Sequence, residues 1–298
     1  MTLSSSTDGS NIAVMKLSAL GDIASTLPYL RAMDPPPCII TSPIGRAFLK
    51  DEFSDFIVLD KKSHVSQLKV ILEVRKRRFT DILDFQGNKR CRLIGHFSGS
   101  RVHDVANVFV RNAPASELTA SVLKNGREKL RFKKRERRHI IFNTGSSPKW
   151  TSKRPPVEKW QEFATILNER YDLPIKMVGS EEELPYVKEI AKALPGNVEV
   201  IAGKTSFPEL KKVIREAFLT VSTDSAALHI SKAEGTPTIG IFGSHAPGGK
   251  MSFPWTIGIY DRILYPDGKL PIANQEPGNY YDHVDLNEGL EALAEYLD

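Results

Sequence analysis

The stretch IAVMKLSALGDIASTLPYLRAMDPPPCIIT, residues 12–41, decides the fold. A short apolar run, Ile12 to Lys16, reads as a strand. From Ile23 to Met33, Ile23, Ala24, Leu27 and Leu30 share one helical stripe, and Pro35 to Pro37 stop the helix before a second apolar run, Cys38 to Thr41. Strand, helix and strand in this order make a βαβ unit, in which the crossover helix forces the two strands to lie parallel.

The same alternation continues outward. Strands are expected at 56–59, 80–85 and 101–103, with helices over 65–76 and 90–97. The segment KNGREKLRFKKRERR, residues 124–138, is rich in charge and poor in apolar residues, and it reads as a connector. A second series follows, with strands at 139–143, 175–178, 199–201, 219–222 and 238–242 and helices over 157–168, 181–193, 208–216 and 225–234. Ser206 stands three residues before Glu209, a capping-box spacing, and Asp285 and Glu288 repeat it before a last amphipathic helix. The expectation is an α/β protein with a mobile tail over 1–10 and two Rossmann-like domains, 11–130 and 131–298, the latter carrying a C-terminal helix.

Composition narrows the class. Of 298 residues, 41% are apolar and 26% charged, which suits a packed globule and excludes a disordered chain. Cys38 and Cys91 are too few for a disulfide scaffold or a thiolate cluster and suit a reducing compartment. The start, MTLSSSTDGS, lacks a basic region followed by an apolar one, and no apolar run reaches ~18 residues, so a cytoplasmic protein is expected. Lys and Arg number 41 against 36 Asp and Glu, a net charge of +5 that fits an anionic partner. Aromatic residues are sparse around the basic clusters at 75–78 and 133–138, so no nucleic acid is expected. A solvated face or an acidic lipid surface accounts for them equally.

Ligands of open parallel sheets collect at the carboxyl ends of strands, and four loops qualify. After the first strand, Ser18, Gly21 and Asp22 form a tight turn, in which Asp22 reads either as a crevice-facing carboxylate or as a helix cap. Thr144 to Ser147, followed by Lys149 and Lys153, offers backbone N–H groups and ammonium ions to a diphosphate, or else a solvated loop. Asp224, Ser225 and His229 surround a helix start whose N–H groups suit an anion. Gly235 reads as a helix terminator, and in the Gly243-Ser244 pair after the next strand Gly243 borders the same crevice. AGKTS at 202–206 is not a P-loop, because residue 198 is valine where GxxxxGK[ST] needs glycine; HExxH, CxxC and GxSxG are absent from the sequence.

Together these segments resemble glycosyltransferase family 9, the ADP-heptose:lipopolysaccharide heptosyltransferases. Five blocks in order carry the likeness: VMKLSALGDIASTLPYLRAM at 14–33, TDILDFQGNKR at 80–90, KRPPVEKWQEFATIL at 153–167, GKTSFPELKKVI at 203–214 and TVSTDSAALHISKAEGTPTIGIFG at 220–243. The resemblance implies a GT-B arrangement of two Rossmann-like domains facing across a cleft, and inverting transfer of a sugar, most simply heptose from ADP-heptose, to a hydroxyl of a lipopolysaccharide core or related glycan. It casts Asp22 as general base, with Ser18, Gly21 and Gln86 beside it. Lys153 and Ser146 would meet the donor phosphates, Glu183 the ribose, and Asp224, Ser225, Ala226 and His229 the signature of the donor site. Ala226 replaces the usual glycine, and Pro155 stands where an aromatic residue is common. No DxD pair anchors a metal, so neither metal nor cofactor is expected. The positive charge suits an acceptor borne on the inner face of the inner membrane, with peripheral attachment there. A nucleotide-sugar binder without turnover, and a transferase using another donor or a protein acceptor, stand as alternatives.

Overall fold

The computed structural model describes residues 11–60, 63–106, 108, 114–241, 262–264, 281 and 284–298. The tail at 1–10 and the pair Gly243 and Ser244 lie outside the described residues. The chain divides into two compact units, Met1–Lys129 and Leu130–Asp298.

The first unit runs β1 (Ile12–Met15), α1 (Leu20–Arg31), β2 (Cys38–Thr41), α2 (Pro43–Leu49), β3 (Phe56–Val58), α3 (His64–Arg77), β4 (Asp81–Asp84), α4 (Lys89–Ser98), β5 (Arg101–His103) and α5 (Glu117–Glu128). Its sheet is parallel in the order β3-β2-β1-β4-β5, so the direction of winding reverses between β1 and β4. Helix α1 packs on α2 and α5, and α3 on α4. Residues Ile23 to Leu30 of α1 are all buried, and Pro28 sits inside the helix at the loss of one backbone bond. Two helices escaped the sequence reading. Helix α2 is too short to display a period; its signal is Ser42, whose hydroxyl accepts from the Gly45 N–H, followed by Pro43 at the first position.

Helix α5 occupies the first part of the supposed connector. It packs against α1 because Gly126 has no side chain: a Cβ there would lie 2.1 Å from Tyr29 Cδ1. The rest of the basic run has no helix or strand, but parts of it are tied to the second unit. Phe132 joins the second core, the Lys133 N–H donates to Gly235 O at 2.9 Å, Arg135 donates to Glu234 O at 2.7 Å, and Arg137 lies over the Tyr171 and Phe218 rings. Arg131, Lys133, Lys134, Arg137 and Arg138 are exposed as composition suggests, while Arg135 and Arg137 also donate to backbone carbonyls.

The second unit runs β6 (Ile140–Asn143), a 3₁₀ helix (Pro148–Lys153), α6 (Val157–Tyr171), β7 (Ile175–Met177), α7 (Leu184–Ala193), β8 (Val198–Val200), α8 (Phe207–Arg215), β9 (Leu219–Thr223), α9 (Ala226–Glu234), β10 (Thr238–Ile241), β11 (Arg262–Leu264), α10 (Leu286–Ala292) and α11 (Ala294–Leu297). Strand β11 was not foreseen. The order is β11-β10-β9-β6-β7-β8, again parallel, with the reversal between β6 and β9. Phe142, Trp160, Phe163, Ile175 and Leu219 centre a core closed by α10 and α11. The capping box at Ser206 forms, its N–H and hydroxyl both donating to Glu209 Oε2. Gly235 ends α9 at φ +72°, where a Cβ would also lie 3.0 Å from Arg131 O.

Candidate functional site

An open parallel sheet leaves a crevice where its winding reverses, because the connections on either side depart to opposite faces. In the first unit that point lies at the carboxyl ends of β1 and β4, and it holds Ser18, Gly21, Asp22 and Gln86. Gln86 Oε1 accepts from the N–H groups of Leu17 and Ser18 at 2.9 and 3.0 Å, tying the loop after β4 to the loop after β1. Gln86 is itself fixed by Asp84, whose Oδ1 accepts from the N–H groups of Gln86 and Gly87 at 2.8 and 3.0 Å. Burial pushes the Asp84 carboxyl above the ordinary carboxylate value, against those two bonds. Gly87 is needed for its φ of +65°.

Asp22 sits at the third position of α1, where its Oδ2 accepts from the Ala19 N–H at 2.8 Å. The helix therefore starts three residues earlier than expected, and the cap reading of Asp22 is correct as far as it goes. Its side chain is 19% exposed, and Oδ1 makes no hydrogen bond among the described residues. Beneath it the buried Lys16 ammonium, donating to Phe85 O at 3.1 Å, lies 3.9 Å from Oδ2, a charge contact too long for a hydrogen bond. The result is a carboxylate held in one orientation with one oxygen to spare.

The second unit repeats the logic between β6 and β9. Asn143 ends β6, and its amide reaches Ser222 Oγ at 3.1 Å, Thr223 Oγ1 at 3.3 Å and Ser225 Oγ, bridging the reversal point. Ser225 is the N-cap of α9 with extended backbone, but its hydroxyl is turned to Asn143 and makes no capping bond; Ala226 begins the helix. Lys153, at the end of the 3₁₀ helix, donates to Asp224 Oδ2 at 2.6 Å, the two side chains being 12% and 5% exposed. His229 Nε2 lies 3.8 Å from Asp224 Oδ1, close enough for charge to act but beyond a hydrogen bond. Burial pushes the Asp224 carboxyl up, and the neighbouring His229 and Lys153 outweigh it, so it ionises below the ordinary carboxylate value.

Other predicted residues are committed to the loops themselves. Ser146 donates to Trp150 O at 2.7 Å and is gripped by Arg154, which donates to its hydroxyl and its carbonyl at 3.1 and 2.6 Å. Glu183 Oε2 accepts from the Ser180 N–H and hydroxyl at 2.7 and 2.8 Å, and its carboxyl fills the space that a Cβ on Gly145 would need. Helix α7 consequently starts at Leu184, later than expected. The structure thus brings Asp22, Gly21, Ser18 and Gln86 together in one unit, and Lys153, Asp224, Ser225, Ala226 and His229 in the other, with Ser146 and Glu183 shaping the loops behind.

Sequence reasoning passed over Lys16, Asn143 and Arg154. Each is a polar residue closing an apolar strand or following a lysine, a weak signal whose partners are distant in sequence. Arg154 also stacks at 4.4 Å over the Tyr186 ring, whose hydroxyl burial pushes up to about 12. Arg154 and Tyr186 wall a cavity of about 550 Å³ with Pro155, Pro156 and Ile190, and neither Lys153 nor Asp224 lines it.

Two further groupings are structural. His103 Nε2 lies 2.8 Å from Asp81 Oδ1 and its Nδ1 2.7 Å from Ser116 Oγ, the residue set of a nucleophilic triad. Ser116, however, caps α5 by accepting from the Thr119 N–H at 3.2 Å, and Arg101 also holds Asp81 at 3.1 Å, so the set fastens α5 to the sheet. Lys204 of the AGKTS turn folds back on Val200 O at 2.8 Å. Among the described residues no three His, Cys, Asp or Glu side chains converge as a metal site, and no helix is long and apolar enough to cross a membrane.

Comparison with known proteins gives a consistent answer. Residues 101–256 match the family model Glycosyltransferase family 9 (heptosyltransferase). The chain is 36% identical over 89 residues to lipopolysaccharide heptosyltransferase 3 of Escherichia coli K12, a match covering 29% of this chain and 26% of that one. It is 31% identical over 93 residues to lipopolysaccharide core heptosyltransferase OpsX of Haemophilus influenzae, covering 30% and 26%. The matched stretch thus spans about a quarter of these relatives' length. Among solved structures, the glycosyl transferase family 9 protein of Veillonella parvula superposes with a TM-score of 0.69 at 16% identity over 97% of both chains. Escherichia coli heptosyltransferase WaaC with ADP-2-deoxy-2-fluoro heptose does so with a TM-score of 0.66 at 17% identity, over 95% of this chain and 99% of that one.

Proposed function

Since the chain belongs to glycosyltransferase family 9 and has the GT-B fold of its structural neighbours, we propose that it is an inverting glycosyltransferase. It moves a heptose from ADP-heptose to a hydroxyl of a lipopolysaccharide core acceptor. The donor is suggested by the ADP-heptose analogue bound to one neighbour, and the acceptor by the names of the curated relatives. The observation that carries the reading is the buried Lys153–Asp224 pair beside the uncapped start of α9.

The chemistry follows from the two sites. An acceptor oxygen attacks the anomeric carbon as the bond to the diphosphate breaks, so one proton must leave and one negative charge must be received. Asp22 Oδ1 takes the proton, while the bond from the Ala19 N–H holds the carboxylate still; general base catalysis of this kind is worth ~10² to 10⁴ in rate. Lys153 has three N–H donors, of which Asp224 uses one, so the others can meet phosphate oxygens together with the first N–H groups of α9. Preorganised donors of this sort stabilise charge where it develops, with no metal in the scheme.

Asp22→Asn tests the reading, because the amide oxygen still accepts from the Ala19 N–H and the helix start is kept. With ADP-heptose and lipopolysaccharide core as substrates, ADP release is expected to fall by ~10² or more while donor affinity stays at the wild-type value. Unchanged ADP release would remove Asp22 from the chemistry. No release from the wild-type protein, with ADP-heptose still bound, would leave a binder without turnover.

A further inference from the structure

Helices α3 and α4 pack side by side, with Val70, Val74, Cys91 and Ile94 of their inner sides buried in the core of the first unit. Their outer sides are not those of an ordinary solvated helix pair. On α3, Val65, Leu68 and Leu72 are 61%, 63% and 67% exposed, and their spacing of three and four places them on one stripe. Lys69, Arg75 and Lys76 are exposed on the same helix. On α4, Leu93 and Phe97 are 43% and 45% exposed and four residues apart, with Lys89 and Arg92 exposed beside them. The two helices carry a single carboxylate, Glu73, and it is bound to Arg77 at 2.8 Å.

Large apolar side chains set out in water are costly, and gathered on one face they mark an interaction surface. The charge around them selects the partner. A second copy of this chain would bring basic residues against basic residues, which disfavours pairing through this face. A nucleic-acid backbone would satisfy the charges but give five apolar side chains nothing to bury in. Apolar side chains ringed by Lys and Arg, with no free acid, match the boundary of an anionic bilayer, where headgroup phosphates lie over acyl chains. We propose that the α3–α4 face docks the protein on an anionic lipid surface, its leucines and Phe97 entering the acyl boundary and its lysines and arginines engaging headgroups. The inference goes beyond the glycosyl-transfer reading without depending on the donor.

The test is sedimentation of the full chain with vesicles of phosphatidylcholine alone and of phosphatidylcholine mixed with phosphatidylglycerol. Wild type is expected to bind the mixed vesicles only and to be released by salt. Lys69→Gln/Arg75→Gln/Lys76→Gln is expected to lose roughly a hundredfold in partitioning, at about fivefold per cation. Leu68→Gln/Leu72→Gln is expected to lose at least about tenfold. Both variants change exposed residues, so an unchanged melting temperature verifies folding. Wild-type partitioning in either variant overturns the proposal, as does failure of the wild type to bind. A wild-type dimer that Leu68→Gln/Leu72→Gln converts to monomer, with vesicle binding intact, would assign the face to a second copy and overturn it too. ADP release with a delipidated acceptor, read in parallel, stays at the wild-type level in both variants; its absence in wild type counts against the glycosyl-transfer reading alone.

Discussion

Replacing Lys153 by Met removes the ammonium from beside Asp224 and leaves its chain volume. The pair is short, 2.6 Å, and both side chains are nearly buried. Truncating one partner of a buried ion pair costs about 3–5 kcal/mol, because the remaining charge is left without its counter-ion. Here the cost falls near the lower end, about 3 kcal/mol, since the polar His229 ring stays 3.8 Å from the other oxygen. For a unit of this size that corresponds to a fall of roughly 6–12 °C in its melting temperature.

The effect carries a pH signature. The Asp224 carboxyl ionises below its ordinary value in the folded protein, so its contribution to stability is fully present above the unfolded value of about 3.9 and is lost as pH falls through the folded value. Lys153→Met removes one of the two causes that lower it and leaves burial. The gap between wild type and variant should therefore be widest at neutral pH and narrow through the acid range. Scanning calorimetry at neutral pH and at a pH below the unfolded value of about 3.9 reads both quantities. Lys153→Met/Asp224→Asn should recover part of the loss, because a neutral amide is less costly to bury than a lone carboxylate. A loss below about 1 kcal/mol, the value of an exposed pair, or a gap that does not change with pH, would refute the argument.

Gln86→Ala removes two hydrogen bonds to the loop that presents Asp22, about 1 kcal/mol each; steady-state kinetics should show a lower kcat with little change in KM for the donor. Gly126→Ala places a methyl within 2.1 Å of the Tyr29 ring and should cost about 1–3 kcal/mol in chemical denaturation of the first unit, an unchanged midpoint being the contrary result. Turnover should survive EDTA, since the proposed charge stabilisation comes from Lys153 and α9; activity that EDTA abolishes and Mg²⁺ restores would contradict it.

The fold was largely legible because its signals are local. Apolar runs, helical stripes, the prolines at 35–37 and the caps at Ser206 and Asp285 each act within a few residues, and the strands and most helices follow from them. Helix α5 was missed although its signals are local too: Ser116 caps it, and Thr119, Val122, Leu123 and Gly126 form its buried stripe, but the charged run that starts at Lys124 masks its second half. The candidate site was legible to the level of residue type and loop. Asp22, Lys153, Asp224, Ser225 and His229 could be nominated from position after a strand, but not told apart from caps and solvated lysines.

What the sequence determined by itself is the alternation of strand and helix, and with it the parallel sheets and the ends at which ligands gather. Only the tertiary structure decided what each polar group there does, because the partners are brought together by sheet order: Lys153 and Asp224 are 71 residues apart, Asn143 and Ser225 82, and Leu17 and Gln86 69. A buried charge or amide takes its role from the atoms packed around it, and those are set by which strands become neighbours.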